Sequence, residues 1–209
     1  LKARHNVRSP KFTTSTKLFT HNADVDSLND EELNRISGGE ITKGDFEHFM
    51  LKEIREQPDT IKKAVQFLDE DMLEKLKKSI ADSTTVYTIG SGTAGVAAAL
   101  GAFYLRKIAK INAIALIGAE ANEYYDLFKE GDLVIVPSQS GETADVLETL
   151  ETVKDKGAKI ASFVNMPGST ISRVSEFPFM ANAGPEIAVA STKIFTSQAI
   201  WFYLLAHFL

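Results

Sequence analysis

The chain of 209 residues contains no cysteine. Disulfides and thiolate metal sites are therefore excluded, and nothing points to an oxidising compartment. Basic residues are not in excess either: 23 Lys and Arg against 28 Asp and Glu leave a formal charge of −5. That balance argues against nucleic acid or an anionic membrane surface as the main partner. Residues 1–22 are polar and basic and lack the apolar core of a signal peptide. No apolar run reaches the ~20 residues needed to cross a bilayer, and no repeat or low-complexity tract interrupts the chain. What is present is ordinary for a cytoplasmic protein: 44% hydrophobic and 24% charged residues, enough for one domain with a sizeable core plus an appendage.

Residues 1–44 are weakly patterned, basic at first and then acidic around Asp24–Glu32. They read as a linker or extended segment, with His5 and His21 as solvated loop residues. From Asp45 the spacing turns helical. Phe46, Phe49, Met50 and Ile54 predict one helix ending at Pro58. Ile61, Ala64, Val65, Leu68, Met72, Leu73, Leu76 and Ile80 predict a second, with Asp59 as its N-cap. Residues 45–82 are thus expected to form a helical hairpin. Over 83–209 short β-branched runs alternate with helical patterns: strands at 84–89, 111–117, 133–136, 158–164 and 177–180. Such alternation implies an α/β fold, a parallel sheet covered on both faces, with ligands bound outside the carboxyl ends of the strands. The last residues, Ala199–Leu209, are apolar on nearly every side and end without a capping glycine. The expectation is a fragment of a longer chain, cut where a further domain covers this helix, and self-association through that face.

Three loops at strand ends carry the chemistry. Gly90-Ser91-Gly92-Thr93-Ala94-Gly95 has the form G-x-G-x-x-G between a strand and a helix. Taken alone it leaves two readings open, a dinucleotide turn with Glu120 as its ribose acid, or a glycine turn needed for tight packing. The second loop follows the run 132–136, which stops at Pro137: Ser138-Gln139-Ser140-Gly141-Glu142-Thr143. Its hydroxyls, amide and glycine at the amino end of a helix favour an anion held by neutral donors, more than capping alone requires. Glu142 is a candidate acid or base there, or a residue placed for the helix dipole. The third runs from Ala183 to Lys193. In it Val189 offers backbone groups, Ser191 reads as the N-cap of the last helix, and Lys193 is either a phosphate contact or a surface charge.

The segments Ser138-Gln139-Ser140-Gly141-Glu142-Thr143-Ala144-Asp145, Ala183-Gly184-Pro185-Glu186-Ile187 and Ala190-Ser191-Thr192-Lys193, with Phe49-Met50-Leu51-Lys52-Glu53-Ile54 and Glu56-Gln57-Pro58 upstream, resemble one family. They are similar to glutamine–fructose-6-phosphate aminotransferase (isomerising), the glucosamine-6-phosphate synthase, from about Gly44 to the end. The resemblance implies the first of two sugar-isomerase (SIS) domains: a three-layer αβα unit on a five-stranded parallel, flavodoxin-like sheet. It further implies a homodimer, no metal or organic cofactor, and fructose 6-phosphate or glucosamine 6-phosphate as ligand. Carried over by position, the sugar-phosphate contacts fall on Thr93, Ala94, Ser138, Gln139, Ser140, Thr143, Val189 and Ser191. One departure stands out: the family's usual Cys-Gly-Thr-Ser is here Ser91-Gly92-Thr93-Ala94, so a hydroxyl is missing at Ala94. The family's catalytic glutamate, histidine and lysines belong to the second SIS domain and C-terminal tail, and its glutaminase cysteine to the N-terminal domain. No residue of this chain is therefore assigned a catalytic role.

Three readings follow: a substrate-binding half of such an aminotransferase/isomerase, a non-catalytic sugar-phosphate sensor, or a nucleotide-dependent oxidoreductase resting on Gly90, Gly92 and Gly95.

Overall fold

Five short parallel strands lie side by side in the order β2-β1-β3-β4-β5: β1 Val86–Gly90, β2 Ala113–Ile117, β3 Leu133–Ser138, β4 Lys159–Val164 and β5 Phe177–Met180. This is a computed structural model of the chain that describes residues 42–209. Residues 1–41 of the expected linker, with His5 and His21, fall outside the described residues; Lys43–Leu209 form one unit. β1 and β3 are buried along their whole length, which is why they read as unbroken apolar runs. The two-residue period sorts their side chains between two cores. Leu133 and Ile135 face one, Val134 and Val136 the other. The strand order reverses between β1 and its neighbours β2 and β3, the place where such sheets leave a crevice.

Pro137 does not end β3, which continues to Ser138. Leu133 donates its N–H to Thr85 of the β1 side, and alternation points residue 137 the same way. Pairing with β1 stops at Ile135, however, and Pro137 is paired with Phe163 of β4 alone. The missing N–H thus falls where no acceptor strand remains.

Helices α1 (Phe49–Gln66), α2 (Glu70–Asp82), α3 (Thr93–Tyr104), α4 (Ala144–Asp155), α5 (Thr170–Val174) and α6 (Lys193–Phe208) surround the sheet. Residues of α2, α3 and α6 build one core and residues of α4 and α5 the other. α3 passes into a π-helical turn, Leu105–Ala109, ended by Lys110 in the left-handed conformation. A 3₁₀ segment, Gly118–Tyr124, follows β2.

The hairpin differs from expectation. α1 runs through Pro58, and the break comes at Phe67–Asp69. Asp69, not Asp59, caps the second helix, accepting from the Met72 N–H at 2.9 Å. Asp59 instead pairs with Lys62 within α1. Proline costs a helix one backbone hydrogen bond, and the flanking residues supply the compensation. Glu53 bonds to the loop before α6, and Glu56 and Gln57 to the first turn of α6 itself.

α6 narrows an expectation. One apolar side, with Ile194, Trp201, Phe202 and Leu205, is buried among the described residues. Trp201 stacks on Phe163 with centroids 5.0 Å apart, and Phe202 lies 5.1 Å from Trp201. Burying each such ring is worth about 1.5–3 kcal/mol. A Cβ on Gly101 of α3 would come within 2.6 Å of three Phe202 ring atoms, so that glycine admits the ring. Tyr203, 42% exposed, is the large apolar side chain of α6 left most open. The expected open face is present in part: Phe195, Ala199, Ile200 and Leu204 are half-buried beside Tyr203 on one side of the helix.

Candidate functional site

Above the carboxyl ends of β1 and β3 lies a cleft of about 230 Å³. It gathers all eight residues named from sequence: Thr93 and Ala94 of the first loop; Ser138, Gln139, Ser140 and Thr143 of the second; Val189 and Ser191 of the third. Ser91, Glu186, Ala188 and Gln198 complete the wall, and sequence reading did not place them there.

The first loop is tight for reasons of its own. A Cβ on Gly90 would sit 2.5 Å from the Ala94 carbonyl oxygen, and one on Gly95 2.8 Å from that of Gly90. Gly92 adopts φ +58° as it starts α3. The G-x-G-x-x-G spacing is thus accounted for by packing, and Glu120 lies in the 3₁₀ segment, outside the cleft lining. No side chain caps α3. Its first-turn N–H groups, with Thr93 and Ala94 beside them, border the cleft.

In the second loop Ser138 is buried at the end of β3 and accepts the Gly141 N–H through Oγ at 2.9 Å. Ser140 Oγ accepts from Glu142 N–H at 3.2 Å. Gly141, at φ +66°, has no room for a Cβ, which would stand 2.1 Å from Ser169 Oγ. Thr143 is the N-cap of α4 but makes no side-chain cap bond, so this helix start is also uncapped. Glu142 turns away: its Oε1 accepts the Thr170 N–H at 2.6 Å, tying the loop to α5. It lies outside the cleft lining and has no place as acid or base there.

The third loop is held by carboxylates. Glu53, 2% exposed, accepts N–H bonds from Ile187 at 2.6 Å and Ala188 at 3.2 Å. Burial raises its carboxyl above the ordinary 4.5, against the pull of those two N–H bonds. Glu186 accepts from Thr192 N–H at 2.8 Å, Ile194 N–H at 3.2 Å and Ser191 Oγ at 2.9 Å. The start of α6 is therefore capped by Glu186, and Ser191 is a donor to that cap rather than the N-cap itself, which is Thr192. Lys193 is neither a phosphate contact nor a surface charge. It is buried, with Nζ 2.6 Å from Glu56 Oε2. Asn165 pins the loop's beginning through Ala183 N–H and the Gly184 carbonyl.

Among the described residues the cleft wall contains no lysine or arginine, and its one ionisable side chain, Glu186, is engaged by three donors. Hydroxyls and uncapped helix starts offer it neutral donors for an anion. Among the described residues no cluster of three or more His, Asp or Glu has the form of a metal site, and no helix is long and apolar enough to cross a membrane.

The model of the SIS domain family matches residues 79–208. The chain is 39% identical over 159 residues to a glutamine–fructose-6-phosphate aminotransferase (isomerising) of Pyrobaculum aerophilum, covering 76% of this chain and 26% of that protein. To the enzyme of the same name from Bacillus licheniformis it is 36% identical over 201 residues, 93% of this chain and 34% of that one. The chain thus spans about a third or less of the length of these relatives. Among solved structures, the C-terminal domain of glucosamine-fructose-6-phosphate aminotransferase from Francisella tularensis superposes with a TM-score of 0.71. It is 31% identical, over 79% of this chain and 49% of that one.

Proposed function

Since the chain belongs to the SIS domain family, we propose that its cleft binds a phosphorylated sugar as the first SIS domain of a glutamine–fructose-6-phosphate aminotransferase. The observation that carries this reading is the convergence of three loops on one small cleft with neutral donors and two uncapped helix starts. Thr93, Ala94, Ser140 and Thr143 would hold the phosphate, with Ser138 and Gln139 shaping the loop beneath it. Val189 and Ser191 would close the opposite side. Fructose 6-phosphate and glucosamine 6-phosphate are the ligands this supports. The names of the relatives support the activity.

Joining ammonia to the ketose and moving a proton between C1 and C2 requires a positioned base and acid. Glu186, committed to capping α6, supplies neither. The chain is therefore a binding half that needs a second SIS domain for its acid, base and lysine and a glutaminase domain for ammonia. A homodimer in the cytoplasm fits that assembly.

In a thermal-shift panel, fructose 6-phosphate and glucosamine 6-phosphate stabilise the chain while NAD does not. At a hundredfold excess over Kd the gain is about 2.7 kcal/mol. Stabilisation by NAD alone overturns the reading. A coupled assay of the isolated chain with fructose 6-phosphate and an ammonium salt yields no glucosamine 6-phosphate; turnover above background would make Glu186 the first suspect.

A further inference from the structure

Gln198 lies in α6, after Thr196 and Ser197 and one turn before Trp201 and Phe202, and is 2% exposed. It lines the cleft, yet its amide has no hydrogen-bond partner among the described residues. The one carboxylate on that wall, Glu186, is engaged by three donors. Gln198 is not among the side chains wholly enclosed without a partner, which include Ser91, Thr192 and Ser197, so the amide opens on the cleft, where only solvent or a ligand can meet it. An α6 position packed against the core would be better served by leucine or methionine unless the amide meets a ligand.

We propose that Gln198 is a specificity-determining residue of the cleft, its amide pairing with a hydroxyl or carbonyl oxygen of the sugar and not with the phosphate. This rests on the sugar-phosphate reading above and adds to it an orientation. Phosphate oxygens only accept, and suit the N–H and hydroxyl donors at the starts of α3 and α4. A sugar hydroxyl both donates and accepts, which matches an amide's carbonyl and NH₂. Glu186 places negative charge on the α6 wall, unfavourable to an anion there. The phosphate therefore sits at the α3 and α4 ends and the polyol reaches toward Gln198. A site built to bond a hydroxyl rejects ligands lacking it, because its own buried group is then left unpaired.

The test is calorimetry on the whole chain with fructose 6-phosphate, inorganic phosphate and propyl phosphate, for wild type, Gln198→Met and Gln198→Glu. Gln198→Met weakens fructose 6-phosphate by about tenfold or more and leaves the two simple phosphates within about twofold. Without ligand it melts at the wild-type temperature or higher, which a structural role for the amide would not allow. Gln198→Glu, with acceptors in place of the NH₂ donors, also loses fructose 6-phosphate selectively. Equal weakening of all three ligands, or none, overturns the assignment, as does loss of folding in both variants. If wild type binds neither fructose 6-phosphate nor phosphate, the sugar-phosphate reading fails and takes this one with it. If wild type binds and the variants do not discriminate, only the role of Gln198 fails.

Discussion

Three helices begin at the cleft, and the chain treats them differently. At the start of α6 every charge is answered from within: Glu186 caps the first turn, Glu53 takes the Ile187 and Ala188 N–H groups, and Glu56 neutralises Lys193. At the starts of α3 and α4 no side chain caps the helix. Orphan N–H groups at a helix start need a partner. Where the fold supplies its own anion the wall is scaffold; where it does not, the proposed partner is an anion from outside. The negative charges of the α6 side also bias an incoming anion toward the other two ends.

The comparison can be broken most severely at Glu56. Replacing it by alanine leaves Lys193, 4% exposed, without its counter-ion. Chemical denaturation should show a loss of about 3 kcal/mol; a loss within experimental error would mean Lys193 finds another partner. Next is Glu186→Ala, which uncaps α6 at a cost of about 1–2 kcal/mol. It also turns α6 into a third open helix start. Inorganic phosphate should raise the melting temperature of this variant more than that of wild type, and an equal response would contradict the contrast drawn here.

Ala94→Ser sharpens the open side. It restores a hydroxyl next to the α3 start and should tighten fructose 6-phosphate about tenfold, the ~1.5 kcal/mol low end for a hydrogen bond to a charged group. Unchanged affinity by calorimetry would show that only backbone groups act at that position. The smallest effect is at Glu53. Burial raises its carboxyl above 4.5, so the folded protein takes up this proton more readily than the unfolded chain. The stability this contributes is fully present below pH 4.5 and is lost as pH rises through the folded value. Relative to Glu53→Gln, wild type should therefore lose stability across that window and then level off. A difference between the two that is flat with pH contradicts the assignment.

The sheet and the open side of the cleft were legible in the sequence because their signals are local. Leu133–Val136 is apolar on both faces of one strand, and Ser138–Thr143 crowds donors and a positive-φ glycine into six positions. The closed side was not legible, because its partners are remote. Ser191 has the residue type of an N-cap, but Glu186 reaches the same N–H groups through the curl of the loop. Pro58 has the residue type of a helix stop, yet Glu53, Glu56 and Gln57 pin α1 to the α6 segment more than 130 positions away. Lys193 has the pattern of a surface charge until Glu56 is beside it. Gln198 follows Thr196 and Ser197 and left no signal of its own; it gains meaning only once the cleft is seen.

The claim that the external anion sits at the starts of α3 and α4, and not of α6, is tested most directly by amide chemical shifts in ¹⁵N-labelled protein titrated with fructose 6-phosphate. The amides of Thr93, Ala94, Ala144 and Asp145 should move together along one saturating curve, with those of Thr192 and Ile194 nearly still. Shifts centred on Thr192 and Ile194 would contradict the account.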